Sequence, residues 1–293
     1  MENIAHTLCG LRLADLGFRE DLKKAAPWVA VAAANLPDLD SVTMFFSQEL
    51  YLTQHRGLTH SFFGWPIMAL LGALVSHRLS GASSYGRHLQ LWSLGLLSHQ
   101  LLDWITAWGT MLLWPIQTRF ALDSTFIVDP IFWFILGVLP AIWRRYQWPA
   151  PRIGKTSLLV FAAWVLLCMM LRQQAQSYAP KSSMVFAAPL APLFWTGIHQ
   201  EGGQLHRYWL TPWSVEEAGV FPVPSQQHED LLRLQPLADA IFRMENAMTF
   251  EVVERSGNEL KLKLWDLAFT SWLDPDRAVI GGEFWIVETA LTD

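Results

Sequence analysis

The sequence predicts a mainly α protein in two parts: a polytopic membrane helical domain over residues 1–175 and a small α+β domain over residues 176–293. Composition is the first reason, since 52% of the 293 residues are hydrophobic and only 16% are charged. With sixteen tryptophans, the chain is too apolar for a typical soluble domain and too polar to lie wholly in lipid. The second reason is a change of pattern near Arg172, where long apolar segments give way to shorter alternating ones.

The apolar segments of the first part differ in length. Residues 5–18 and 25–36 are short, because a helix over residues 5–18 would measure roughly 20 Å. The hydrocarbon core of a bilayer is about 30 Å thick, so we expect these two to be partial or interfacial helices. The segments expected to cross the bilayer are residues 62–76, 88–108, 126–143 and 156–171.

The second part predicts two hairpins, a helix and a further strand. The hairpins are centred on the turn signals at residues 202–203 and 256–258. An amphipathic pattern over residues 229–246 predicts the helix. The predicted strands are residues 194–199, 206–213, 250–255, 259–265 and 284–288.

Charge predicts the orientation in the membrane. If each apolar segment crosses and returns, the basic loops gather on one side, which the positive-inside rule assigns to the cytoplasm. These loops carry Arg19, Lys23, Lys24, Arg78, Arg87, Arg144, Arg145, Arg152 and Lys155. We therefore expect a protein of the cytoplasmic (inner) membrane. Its carboxylates, imidazoles and C-terminal domain should face the extracytoplasmic side.

Several function classes are disfavoured. The formal net charge is −5 and no basic cluster with interleaved aromatics occurs, so no nucleic-acid partner is expected. Cys9 and Cys168 form no CxxC pair, and no zincin, serine-hydrolase, P-loop or Rossmann motif is present. The expected partners are the lipid bilayer and a small-molecule or lipid substrate. The sequence defines no oligomeric state.

Imidazoles and carboxylates concentrate in the apolar part of the chain, where ionisable groups are costly and indicate function. Such side chains are the usual ligands of a hydrolytic divalent metal. His99 and Asp103 are four residues apart and share one helix face. The candidate metal ligands are His6, Asp38, His55, His60, His99 and Asp103. Alternatives are a buried histidine bonded to its own helix for His99, and a core or interface histidine for His6.

Two further residues are candidates for a catalytic role. Asp40, two residues after Asp38 in a proline-containing turn, is a second ligand, an orienting partner of an imidazole, or a helix cap. Arg56 either neutralises a phosphate or pairs with Asp40. Secondary candidates are Asp123, Asp129 and Arg119, with Asp129 expected as a helix cap or as the partner of Arg119.

His6 and five motifs in order carry a family resemblance: NLPDLD, HRGLTHS, SHQLLDW, TAWGTMLLWP and RFALDSTFIVDP. Over roughly residues 1–140 the chain resembles the YdjM-type family of membrane-bound, metal-dependent hydrolases, which implies hydrolase chemistry at these residues. A weaker likeness is to zinc-dependent phospholipases C and related nucleases. Their early ligands would correspond to His6, Asp38, His55 or His60, and His99 with Asp103. Their later His and Glu ligands have no counterpart here, so one or two ions are expected.

The function expected from the sequence is metal-dependent hydrolysis of a phosphoester in a lipid or cell-envelope molecule. The ion would lower the pKa of a water molecule, with Asp40 or Asp103 accepting its proton and Arg56 balancing developing charge. Mixed His and Asp ligands favour Zn²⁺, with Mn²⁺ or Fe²⁺ as alternatives. Two other classes stay open: a non-catalytic membrane scaffold with a structural His/Asp cluster, and a metal or proton transporter.

Overall fold

The computed structural model describes residues 1–81, 84–188, 192–223, 248–256, 259–267 and 285–290. Within these ranges the chain is mainly helical up to residue 176 and forms β-structure after it. The α-helices are α1 (Asn3–Ala14), α2 (Phe18–Leu22), α3 (Ala25–Asn35), α4 (Gln48–Gln54), α5 (Gly64–Ser80), α6 (Tyr85–Trp104), α7 (Pro130–Trp133), α8 (Leu139–Arg145) and α9 (Ala150–Gln176). Two 3-10 helices cover Pro37–Phe45 and Leu58–His60, and a π-helical turn covers Phe134–Val138.

The chain divides into two compact units. The first comprises Met1–Val42 and Gln54–Met169, and the second comprises Thr43–Thr53 and Met170–Asp293. All candidate site residues lie in the first unit, and the strands lie in the second.

Local signals set the ends of the helices that carry the site. The Glu2 carboxylate accepts hydrogen bonds from the first free backbone N–H groups of α1, and the Ser84 hydroxyl does the same for α6. Helix α3 ends at Asn35, and the chain passes through Leu36, which is still in right-handed helical conformation, into the 3-10 helix that starts at Pro37. Helix α5 ends at Gly81, which has a left-handed φ of 62°.

Helices α1, α3 and α6 pack through very small residues. A methyl group built on Gly10 would lie 2.8 Å from the carbonyl oxygen of Ala30 and 3.0 Å from the Cβ of Ala34. One built on Gly95 would lie 2.5 Å from the Cβ of Ala33. Close approach through Gly and Ala is typical of helix packing in membranes. The contact brings the ligand candidates of α1 and α6 beside the end of α3.

We expect the Gly95→Ala variant to be less stable than the wild type. The added methyl group overpacks the α3–α6 contact, at a typical cost of about 1–3 kcal/mol. Gly86, on the same helix, is the matched control, because a methyl group there meets no heavy atom closer than 3.9 Å. Gly86→Ala should be neutral or gain up to about 1 kcal/mol in helix propensity. Thermal unfolding followed by tryptophan fluorescence measures both, and equal melting temperatures would contradict the close packing.

The number of membrane-spanning helices is smaller than the sequence analysis predicts. Within the described ranges, only α9 is by itself long and apolar enough to cross a membrane. The bent pair Gln48–His60 and Gly64–Ser80 adds a second candidate if counted as one span. The 27 residues of α9 correspond to about 40 Å, and only 22% of its apolar window is buried. A polytopic arrangement is therefore not confirmed.

Two of the four predicted spans depart from a simple apolar helix for visible reasons. Helix α6 carries polar residues such as Gln100 and Asp103, which face the protein interior and lower its apolar character. The segment predicted over residues 126–143 is interrupted by the π-helical turn at Phe134–Val138. Within this segment the helix begins only at Pro130, and the Asp129 side chain caps its N-terminus.

The second unit contains two antiparallel sheets within its described residues. One has the order β1-β2-β3-β4 and the other β5-β6-β7. The strands are β1 (Met184–Ala187), β2 (Trp195–Glu201), β3 (Gln204–Thr211), β4 (Ser214–Pro222), β5 (Met248–Ser256), β6 (Glu259–Asp266) and β7 (Trp285–Ala290). Both predicted hairpins and the last strand are confirmed, and Gly202 and Gly203 have the positive φ that the first turn requires. The helix predicted over residues 229–246 lies outside the described residues.

Candidate metal centre

Four ligand atoms converge in the interior of the first unit. Asp38, His60, His99 and Asp103 each supply one nitrogen or oxygen atom, and these atoms lie within 4.8 Å of one another. Asp38 is on the 3-10 helix after α3, His60 ends the short 3-10 helix before α5, and the other two are one turn apart on α6. Asp38 is 9% exposed, whereas the other three are fully buried.

Five of the six distances between the four atoms are close to those of a tetrahedral metal site. His60 Nε2 lies 3.6 Å from Asp38 Oδ1 and 3.2 Å from Asp103 Oδ2, and His99 Nε2 lies 3.5 and 3.4 Å from the same two oxygens. The two Nε2 atoms are 2.9 Å apart. With metal–ligand bonds of about 2.0–2.1 Å, neighbouring ligand atoms of a tetrahedral zinc site lie about 3.3 Å apart. The cluster therefore has the dimensions of a coordination shell.

The outer hydrogen bonds of the two histidines orient both rings for metal binding. His99 Nδ1 lies 2.7 Å from the carbonyl oxygen of Ala34, an acceptor, so Nδ1 carries the proton. His60 Nδ1 donates to Thr59 Oγ1 at 2.9 Å, because the Thr59 hydroxyl itself donates to Asp40 Oδ2 at 2.6 Å. In the neutral rings both Nε2 lone pairs then point at the same place. That arrangement is repulsive without a cation between them.

The carboxylates of the cluster also fit a metal ion. Asp103 Oδ2 is buried and has no hydrogen-bond partner, although both Nε2 atoms are close to it. Burial alone would raise the pKa of Asp38, but the His60 and His99 rings, which donate to this carboxylate when Nε2 is protonated in the absence of an ion, outweigh burial and hold that pKa well below the ordinary value. Asp38 is therefore ionised at neutral pH, as a metal ligand must be.

Asp40 lies behind His60 and organises the loop that carries it. Its Oδ1 accepts a hydrogen bond from His55 Nδ1 at 2.6 Å. Its Oδ2 accepts one from the backbone N–H of Arg56 at 3.0 Å and another from the side-chain hydroxyl of Thr59. Burial raises the pKa of Asp40, but the His55 and His60 contacts dominate and lower it below its usual range. Arg56 has a positive φ of 61°, which turns the loop so that His60 enters the cluster while His55 pairs with Asp40.

We expect the Asp40→Asn variant to bind metal more weakly, by about 10–100-fold, as is typical when an outer partner of a ligand is lost. The amide cannot accept from His55, Arg56 and Thr59 at once, so the His60 ring loses its fixed orientation. Competition with a chromogenic chelator measures the affinity. Asp21→Asn is the control, since Asp21 is an exposed carboxylate that pairs with Arg87. An unchanged affinity in Asp40→Asn would contradict the orienting role.

The Arg56 guanidinium is tied into the protein on the far side of Asp103. Its Nη2 atom lies 3.0 Å from Asp103 Oδ1, and its Nη1 atom donates a hydrogen bond to the carbonyl oxygen of Gly109 at 3.2 Å. The amino group of Met1 also binds Asp103 Oδ1. Two roles were open for Arg56: neutralising a phosphate, which needs a free guanidinium, or pairing with Asp40. The guanidinium is engaged within the protein and does not pair with the Asp40 side chain. The side chain pairs with Asp103, and only its backbone N–H bonds to Asp40.

His6 lies beside the cluster. Its ring stacks on that of His99 with centroids 3.9 Å apart, and its Nε2 is 3.5 Å from Asp103 Oδ1 and 3.9 Å from Asp38 Oδ2. The ring is fully buried, and neither nitrogen has a hydrogen bond. Asp103 Oδ1 is already engaged by positive groups, which disfavours a second ion there. His6 is a close neighbour of both carboxylates of the cluster.

The three secondary candidates lie away from the four converging atoms. Asp129 caps α7 by accepting from the backbone N–H of Ile131 at 2.8 Å, which is the first of its two expected roles. Arg119 donates to the carbonyl oxygens of His55 and Trp108 at 3.0 and 3.4 Å, so it supports the loop behind the site. Asp123 is half-buried with a positive φ of 48°.

Three further groups lie close to the candidate ligands, and the sequence analysis did not identify any of them. The Thr59 hydroxyl links His60 to Asp40. The carbonyl oxygen of Ala34 fixes the His99 ring, and no side-chain pattern could indicate a backbone acceptor. Gln100 follows His99 directly and is 6% exposed, with a side-chain oxygen that lacks a hydrogen bond. For Gln100, the available signal in the sequence was a polar side chain directly beside His99 in a largely apolar segment.

Comparisons with known proteins agree with the membrane assignment. The chain is 24% identical to the Bacillus subtilis (strain 168) protein named "Uncharacterized protein YfhP" over 182 residues, 59% of this chain and 55% of that protein. It is 36% identical to "Inner membrane protein YdjM" of Escherichia coli (strain K12) over 101 residues, 32% of this chain and 50% of that protein, with the same figures for the Shigella flexneri protein. The chain thus spans about half the length of these curated relatives.

No solved structure matches the chain. A family model described as YdjM inner membrane protein matches residues 1–176, which is more than half of the 293 residues. The matched stretch includes the four converging ligands, Asp40 with its partners, and the candidate membrane helix α9. The chain therefore belongs to the YdjM inner membrane protein family.

Proposed function

We propose that this protein is a membrane-bound, metal-dependent hydrolase that acts on a phosphoester. The observation that carries the proposal is the convergence of two imidazole Nε2 atoms and two carboxylate oxygens at tetrahedral spacing, with both imidazoles oriented by outer hydrogen bonds. Buried ligand sets of this kind are costly to assemble, so they are expected where an ion is used. Membership of a membrane-protein family supports the location, and the resemblance noted above supports the reaction class.

Each residue of the cluster has a role that its geometry supports. A divalent ion at this site would lower the pKa of a water molecule and polarise a phosphoryl oxygen. Asp38 is the ligand that retains some exposure, so it lies where solvent can reach the site, and we assign its Oδ2 to accept the proton. Arg56 holds Asp103 ionised and fixed, and Asp40 orients His60. In this proposal Asp40 and Arg56 act by positioning the ligands.

The set of ligand atoms favours a single Zn²⁺ ion. Two histidine nitrogens and two carboxylate oxygens at about 3.3 Å spacing suit tetrahedral Zn²⁺ best, because Mn²⁺ and Fe²⁺ usually take more ligands in a wider shell. We therefore propose Zn²⁺ as the native ion. Mn²⁺ and Fe²⁺ are the alternatives that reconstitution should test.

A second function has one specific observation in its favour. Four protein ligands already complete a tetrahedral shell, and closed, buried shells are typical of structural zinc sites. In that reading the ion holds α6 to the loops that carry Asp38 and His60, and the protein is a scaffold. The two readings differ in whether a ligand can exchange with water.

The test combines metal replacement with an activity assay. Protein reconstituted in lipid is stripped with a chelator, reloaded separately with Zn²⁺, Mn²⁺ or Fe²⁺, and given phosphomonoesters and phosphodiesters. We expect hydrolysis that requires the ion and is lost in Asp38→Ala but kept in His77→Ala, a histidine of α5 outside the cluster. Stoichiometric metal with no hydrolysis of either ester class, together with four protein ligands and no water in X-ray absorption spectra, would establish the structural reading instead.

We further propose that the site and the C-terminal unit face the extracytoplasmic side, on the basis of the basic loops. Engineered cysteines test this, because Cys9 and Cys168 are both buried. In intact spheroplasts, a membrane-impermeant maleimide should label Ser214→Cys in the C-terminal sheet and should not label Arg145→Cys at the end of α8. The opposite labelling would reverse the orientation.

A further inference from the structure

A large apolar cavity lies beside the metal centre, within the first unit. Its volume is about 470 Å³, inside the range of about 300–1,000 Å³ that ligand pockets usually occupy. Helices α1, α6 and α9 form its walls, mainly with leucine, phenylalanine and valine side chains. Ser98 is polar, but its hydroxyl donates to the carbonyl oxygen of Gly95, so it presents little polarity. The cavity therefore suits a hydrocarbon chain.

The cavity is open on the side of the helix that can cross a membrane. Leucines on its rim are well exposed, with Leu101 at 48% and Leu166 at 58%. Leu166 belongs to α9, whose apolar window is mostly exposed and long enough to span a bilayer. When α9 spans the membrane, the mouth of the cavity faces lipid chains. A lipid can then enter from the bilayer without passing through water.

A second, smaller cavity adjoins the apolar one. Its volume is about 150 Å³, and it shares Leu97 and Trp104 with the large cavity. His60, one of the four metal-ligand candidates, is among its lining residues. The side chains of Leu97 and Trp104 therefore lie between a chain held by α1, α6 and α9 and the cavity that His60 lines.

The small cavity also contains a polar group that lacks a partner. Gln100 is one of the lining residues, and its side-chain oxygen is buried and has no hydrogen bond. Gln100 is 6% exposed, and leaving such a group unpaired costs about 1–3 kcal/mol. A hydroxyl group on a bound molecule would supply the missing donor if the Gln100 side chain turned towards it. The two cavities thus combine apolar walls with a buried hydrogen-bond acceptor and one candidate metal ligand.

We propose that the large cavity binds the hydrocarbon chain of a membrane lipid between α1, α6 and α9, with the phosphoester headgroup on the side of the smaller cavity that Gln100 and His60 line. The claim that this lipid is the substrate rests on the proposed hydrolase function. The claim that it binds there rests only on the cavities. The substrate class is then a lipid phosphoester, which reaches the metal centre from within the bilayer.

The test uses a probe that binds but cannot be hydrolysed: a dodecyl phosphonate with a photoreactive diazirine at the end of its chain. The protein is placed in lipid nanodiscs, irradiated with the probe, and digested for mass spectrometry. Ala162→Trp narrows the cavity from α9, and Ala163→Trp is the matched control, because Ala163 is exposed but does not line the cavity. Metal content is measured in both variants as a check on folding.

We expect labelled peptides from α6 and α9 at the cavity, with labelling at least 5-fold lower in Ala162→Trp and unchanged in Ala163→Trp. Excess unlabelled dodecyl phosphonate should suppress it, and inorganic phosphate should not. Equal labelling in both variants, spread over all exposed apolar faces, would overturn the proposal. A bound probe on a protein that hydrolyses no phosphoester would overturn only the hydrolase function. Hydrolysis of soluble esters without cavity labelling would overturn only the lipid proposal.

Discussion

We expect the wild-type protein to carry a metal ion and the His99→Ala variant to carry none. His99 supplies one of the four converging atoms, and its Nε2 lies 2.9–3.5 Å from the other three. Alanine leaves three ligands and, in addition, a buried carbonyl oxygen at Ala34 without its donor. The loss of affinity should therefore exceed the roughly 10–100-fold that follows removal of an outer partner. Elemental mass spectrometry on the purified protein measures the bound metal.

Two controls separate loss of the ligand from loss of the fold. His60→Ala removes a ligand from a different element and should give the same metal-free protein. His77→Ala removes a histidine of α5 outside the cluster and should keep about one equivalent of metal. If His99→Ala retained metal at the wild-type level, the four-residue cluster would not be the site.

The metal ligands show which parts of a site a sequence can reveal. His99 and Asp103 were predictable because a spacing of four on a helix fixes their common face regardless of the rest of the fold. His55 and His60 could not be distinguished, because their roles depend on the turn at Arg56, whose positive φ the sequence does not encode. Asp38 was assigned to the ion from the sequence, but Asp40 stayed open between a second ligand, an orienting partner and a helix cap. Only their contacts with His60 and His55 separate ligand from orienting group.

The fold shows the same limit at a larger scale. Helices and hairpins are set by local patterns, so α1, α3, α6 and five of the seven described C-terminal strands follow the prediction, whereas β1 and β4 were not predicted. The number of membrane spans depends on which apolar residues face the protein interior and which face lipid, and the sequence analysis treated both alike. Helix α6 shows the difference, since its polar face is buried against α3 and α1 around the ligands. An apolar segment that encloses a polar site resembles a membrane span in sequence.

Replacing Asp103 by Asn is expected to destabilise the metal-free protein by about 3–5 kcal/mol, which is typical when one member of a buried ion pair is removed. Asp103 is fully buried and pairs with Arg56, whose side chain is only 4% exposed. Asparagine has nearly the same shape, so no cavity forms and the effect is electrostatic. Arg56 and the Met1 amino group would then lie buried without their counter-charge. Denaturant titration followed by tryptophan fluorescence measures the free energy of unfolding.

A double-mutant cycle with Arg56→Met identifies the source of this cost. If Asp103 and Arg56 stabilise each other, the Asp103→Asn/Arg56→Met protein should lose less stability than the sum of the two single variants, by about 0.5–3 kcal/mol. Additive losses would show that Arg56 is held by its bond to Gly109 and not by Asp103. The cycle is run without metal because a bound ion would itself interact with the Asp103 charge. It thus tests the assignment of Arg56 as a positioning residue independently of any catalytic activity.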